Sequence, residues 1–108
     1  MTSVESIKKL GLNKSEENLD FLISLFDDLS LNIDIRREIV SSIGRQKNNS
    51  KIYKFIKEHA FNCGYMDLVY QMFRTCLYKK EDIQFDELRK DLKEGYFEAL
   101  KLQPLNFL

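Results

Sequence analysis

His59 is the sole histidine of the chain, so any general acid/base or triad chemistry that needs an imidazole has one candidate. Cys63 stands four positions on and Asp67 four beyond that, a spacing that sets three metal-ligating residue types along one helical face. A structural zinc site needs a full tetrahedral set, and Gly64 is expected to end the helix between Cys63 and Asp67, with no second His or Cys cluster to complete the ligands. No metal site is therefore expected, and His59 reads as a surface or half-buried polar residue. Cys63 and Cys76, thirteen apart and among apolar neighbours, match neither a CxxC nor a zinc-ribbon spacing and read as buried thiols that need no disulfide.

The carboxylate pairs Asp27–Asp28, Glu81–Asp82, Asp86–Glu87 and Asp91–Glu94 each lie at a charge-rich helix edge with Lys or Arg nearby, as solvated faces and helix starts do. The sequence contains no GxxxxGK[ST], GxGxxG, HExxH or GxSxG fingerprint. No enzyme activity, catalytic residue or cofactor is expected.

The basic residues are more informative. Seventeen Lys and Arg balance seventeen Asp and Glu, which excludes a generally cationic protein, but the balance is uneven along the chain. Residues 1–33 hold three bases against six acids, residues 34–80 ten against four, and residues 81–108 four against seven. Within that positive centre Arg36, Arg37, Arg45, Lys47, Lys51 and Lys54, with Tyr53 interleaved, are candidate contacts to phosphate or to a partner.

The elements that must position them are helices. Only four Gly and one Pro in 108 residues leave little material for the turns of a small β fold, and 44% apolar residues suffice for one core. A short helix is expected over Val4–Leu10, closed by Gly11. A second runs from a Ser15 cap to Leu29, with Leu19, Leu22, Phe26 and Leu29 on one face. A third follows an Asn32 or Asp34 cap, carries Ile35, Ile39 and Ile43, and ends on Gly44 as a left-handed stop. Ser50 is expected to cap a fourth, with Ile52, Phe55, Ile56 and Ala60, to about Phe61. The fifth, Tyr65 to about Tyr78, is apolar on most of its circumference, as a helix at the centre of a core would be. A last helical region with Ile83, Phe85, Leu88 and Leu92 is expected to break near Gly95, before Pro104.

Slid along itself until Leu19 meets Tyr53, the chain sets Leu19–Leu22 on Tyr53–Ile56 and Phe26 on Ala60. The same alignment sets Ile35, Ile39, Ser42 and Ile43 on Val69, Phe73, Cys76 and Leu77. The segment Ile35-Arg36-Arg37-Glu38-Ile39-Val40-Ser41-Ser42-Ile43-Gly44, preceded by Asp34, resembles the second helix of a HEAT repeat. That helix has an acidic turn, an aliphatic-Arg pair, then small and aliphatic residues ending in Leu-Gly. The copy at Val69–Tyr78 lacks the Arg and the Gly, and the period is shorter than the family's usual value of about 40. The resemblance covers Ser15 to Tyr78.

This resemblance implies antiparallel helix pairs stacked as a short right-handed α-solenoid of about five main helices, with repeats near 15–45 and 49–79 and a helical cap at 82–103. It implies a non-catalytic scaffold that binds macromolecules, mainly protein. Arg36 would then be the internal repeat arginine bridging neighbouring turns. The alternative is an accessory domain of a DNA-modifying or restriction-type enzyme, holding the nucleic-acid backbone through the basic centre. So few repeats suit either a fragment of a longer array or an accessory domain, and Leu105–Leu108 fits a docked tail or a domain edge. The longest nearly apolar stretch, Phe21–Phe26, is far too short to cross a bilayer, and the first residues lack the features of a signal peptide, so a cytoplasmic location is expected.

Overall fold

The computed structural model describes residues 3–47, 50–60, 65–79 and 83–102, with only the backbone described at 66, 78, 83 and 96–102. Among these the chain is all-helical: α1 (Val4–Leu12), α2 (Glu16–Phe26), α3 (Ile33–Arg45), α4 (Ser50–His59), α5 (Met66–Tyr78) and α6 (Ile83–Leu102). None of these helices is long and apolar enough to cross a membrane.

Short polar side chains set the helix starts by taking up amide groups that have no intrahelical acceptor. The Ser3 hydroxyl accepts from the Ser6 amide while the Ser6 hydroxyl accepts from the Ser3 amide, a reciprocal cap on α1. Ser15 caps α2 by accepting from Asn18 N, and Asn32, rather than Asp34, caps α3 by accepting from Ile35 N at 2.9 Å. Ser50 is the first residue of α4 rather than its cap.

The helix ends depart from the sequence reading. α2 stops at Phe26, not Leu29, because Asp28 Oδ1 accepts from both Ser30 N (3.0 Å) and Ser30 Oγ (2.6 Å) and folds the backbone into a local turn. The same two hydrogen bonds hold the Asp28 carboxyl below its ordinary pKa. Leu29 is consequently 81% exposed instead of continuing the apolar face of Leu19, Leu22 and Phe26, which are buried. Gly11 and Gly44 lie inside α1 and α3, and neither takes a left-handed φ, so neither is a stop. Gly95 lies within a continuous α6. Phe61, Cys63, Gly64 and Pro104 lie outside the described residues.

The glycines are where helices meet. A Cβ on Gly11 would stand 2.5 Å from Ser42 Oγ, and one on Gly44 would stand 2.9 Å from both Thr75 Oγ1 and Cγ2. Only a residue without a side chain lets the backbones approach this closely. α1 thus packs on α3 and α3 on α5, forming a row in which Gly44 follows Gly11 at the same spacing as Thr75 follows Ser42. α3 also packs against α2, and α5 against α6.

The core fills the space behind this row with Ile7, Leu22, Phe26, Ile39, Ile56, Leu68, Met72 and Leu92, all essentially inaccessible. Phe26 and Phe55 meet edge to face with ring centroids 5.0 Å apart. α5 is less enclosed than its composition suggests, since Tyr70 and Leu77 are 47% and 41% exposed.

α2 begins at Glu16 and α4 at Ser50, in step with the match of Leu19 to Tyr53. α3 begins at Ile33 and α5 at Met66, one position short of that alignment. A slip of one position turns a helix by about 100°, which explains why Leu77, matched to buried Ile43, faces out. With the slip restored, Ile43 falls on Cys76 and Ile39 on Met72, all buried.

Candidate functional site

The six basic residues singled out in the sequence do not form one uniform ridge. Arg36 is turned inward: it is 6% exposed, its Nε and Nη2 both donate to the Phe26 carbonyl at 3.3 and 3.2 Å, and its guanidinium lies 4.4 Å from the Phe26 ring centre. That carbonyl ends α2 and lacks an intrahelical partner, so the guanidinium closes the helix and stacks on its last aromatic ring. As placed, Arg36 is withdrawn from any phosphate or partner.

Three others face carboxylates. Arg37 sits between Asp34 at 3.5 Å and Asp67 at 3.4 Å, and its buried Nε has no hydrogen-bond partner among the described residues. Arg45 Nη1 donates to Glu38 Oε1 at 2.8 Å and to Ser42 Oγ at 3.3 Å. Lys51 Nζ reaches Glu16 at 2.7 Å and Asp20 at 2.9 Å, and these hydrogen bonds raise its pKa above the ordinary value. The acidic N-terminal flank thus folds back over part of the basic centre. Lys47 and Lys54 are exposed, and no ion pair joins them to another described residue.

The residues considered for metal chemistry are dispersed. His59 is held by the Phe55 carbonyl at 2.9 Å and by Asp27 at 3.2 Å, linking the end of α4 to the end of α2, while Asp67 faces Arg37. Cys63 lies outside the described residues, and among the described residues no three His, Cys, Asp or Glu gather to hold a metal. Cys76 is buried, and burial pushes its thiol up to about 12.

A different constellation lies along the α1–α3–α5 row. Gln46, 3% exposed, caps α3 at its end. Its Oε1 accepts from Ser15 N at 3.0 Å, and its Nε2 donates to the Gly11 carbonyl at 3.3 Å. Its own carbonyl accepts from Lys79 Nζ at 2.6 Å, where Lys79 is 7% exposed. Burial first, then the positive charge of Lys14, holds the Lys79 amine below its ordinary pKa.

Beside this network α1, α3 and α5 border an open pocket of about 560 Å³, lined in part by Lys14, Arg45 and Arg74. Sequence reasoning placed Arg45 and Arg74 in the basic centre but missed Lys14, which belongs to the acidic flank and reaches the cavity only through the packing of α1 on α3. Gly11 and Ser42 recur as Gly44 and Thr75 at one spacing, but which hydroxyl residue each glycine meets emerges only from the packing. Comparison with protein-family models, with curated proteins and with solved structures finds no match to this chain.

Proposed function

We propose that the chain is a non-catalytic helical interaction module, a short HEAT-like α-solenoid in which α1, α3 and α5 are successive inner helices. The observation that carries this reading is the contact of Gly11 with Ser42 and its counterpart, Gly44 with Thr75, repeated at equal spacing along one row. Stacked helix pairs joined by a recurring contact present an extended surface suited to macromolecular binding. The bound macromolecule is a protein, contacted through the side of α5 where Tyr70 and Leu77, two helical turns apart, stand exposed. The inward turn of Arg36 and the carboxylates at Arg37 and Lys51 favour this partner over a nucleic-acid backbone, whose contacts would fall to the remaining bases.

Photo-crosslinking from position 77, with position 29 as an exposed control, tests the reading. A protein crosslinked from 77 and not from 29, and lost on Tyr70→Ser, is the expected result. Capture of nucleic acid alone, or steep loss of duplex affinity with rising salt together with no protein crosslink, would overturn it.

A further inference from the structure

The cavity between α1, α3 and α5 has a chemistry that the interaction surface does not use. Its volume, about 560 Å³, lies in the range that holds a small organic ligand. Lys14 follows α1, Arg45 ends α3 and Arg74 lies on α5, so three cations reach it from three parts of the chain, and no carboxylate is among the described residues lining it. Glu38 is not among the lining residues, and it engages one nitrogen of the Arg45 guanidinium, which carries further N–H donors.

The neutral groups are donors as well. Gln71 Nε2 donates to Ser41 Oγ at 2.7 Å, which leaves the Ser41 hydroxyl hydrogen and the second Gln71 N–H for another acceptor. Thr75 is already committed, since its hydroxyl donates to the Gln71 carbonyl at 3.0 Å.

We propose that this cavity binds a small phosphorylated ligand, with Lys14, Arg45 and Arg74 on the phosphate oxygens and Ser41 and Gln71 as neutral donors. A phosphate group presents three terminal oxygens, which suits convergence of several donors better than the two oxygens of a carboxylate, and arginine forks match its geometry. Leu12, 74% exposed at the cavity wall, offers the apolar surface that the ligand's organic part would cover. The site stands independently of the protein-binding surface, because it needs only the packing of the three helices.

Amide-resolved NMR titration of the full chain with pyrophosphate, with adenosine monophosphate and with a mixed-sequence DNA duplex, at about 50 mM salt, tests it. The expected result is saturable binding of at least one small phosphate, with shifts centred on Gly11, Gly44 and Thr75. Arg74→Gln should weaken it about tenfold, the loss of one charge-assisted contact, and Lys54→Gln should leave it unchanged. Lys14→Gln, at an exposed position, gives the same readout if Arg74→Gln perturbs the fold. No shifts with either small phosphate, shifts centred on Lys47 and Lys54, or binding of the duplex alone would each overturn the proposal.

Discussion

The ammonium of Lys79 donates to the backbone carbonyl of Gln46 at 2.6 Å, and Gln46 in turn donates from its own side chain to the carbonyl of Gly11. The two residues fasten three helices to one another: α5 to α3, and α3 to α1. A buried amine on a carbonyl satisfies the acceptor but leaves a positive charge poorly solvated.

That cost has a pH signature. The Lys79 amine has a folded-state pKa below the ordinary 10.5, so between the two values the unfolded chain holds a proton that the folded chain has released. Stability then rises with pH through that window. Wild type should therefore gain stability relative to Lys79→Met as pH is raised toward 10.5, measured by denaturant unfolding at several pH values. Lys51, whose raised pKa works in the opposite direction, is common to both proteins and cancels in the difference. A difference that stays flat with pH contradicts the assignment.

Gly11→Ala should destabilise the fold. The new methyl meets Ser42 Oγ at 2.5 Å and Ser42 Cα at 3.0 Å, an overpacking that costs about 1–3 kcal/mol against a helix-propensity gain of about 1. Removing the Ser42 side chain relieves the closest contacts, so the double variant Gly11→Ala with Ser42→Gly should be more stable than the sum of the single changes by about 1 kcal/mol. Thermal and denaturant unfolding of the four proteins of the cycle measure this coupling.

Arg36→Lys should cost about 1–3 kcal/mol, because a lysine cannot reproduce two N–H groups on the Phe26 carbonyl and a flat face on the Phe26 ring. Lys54→Gln, at an exposed position without an ion pair among the described residues, should change stability by less than about 0.5 kcal/mol. Equal effects of the two substitutions would remove the distinction drawn between inward and outward bases.

Cys76 should resist alkylation in the folded protein. Burial raises its thiol to about 12, which leaves almost no thiolate at neutral pH, and the sulfur has no access to solvent. Iodoacetamide labelling, followed peptide by peptide to separate Cys76 from Cys63, should modify Cys76 in denaturant and spare it in native buffer. Rapid native labelling of Cys76 would show that α5 is not packed as described.

The helical class, the Ser15 cap, the start of α3 at one of two capping residues and the buried faces of α2 and α4 were legible because they depend on local chemistry: side-chain acceptors for orphan amides and apolar spacing. The ends at Leu29, Gly11 and Gly44 were not. Asp28 overrode the apolar spacing with a local turn, and the two glycines serve contacts with Ser42 and Thr75, far along the chain, which look identical in sequence to helix stops. The candidate site was legible in part for the same reason. A run of bases is visible along the chain, but which of them meet Glu16, Asp20, Glu38 or Asp67 depends on tertiary packing.

The row of α1, α3 and α5 underlies both functional proposals, and proton–proton contacts in a NOESY spectrum test it most directly. The structure predicts cross-peaks between the Gly11 Hα and Ser42 Hβ protons, and between the Gly44 Hα protons and the Thr75 methyl group. Absence of both, in a folded and assigned spectrum, would contradict the packing of the three helices and with it the shared surface and the cavity.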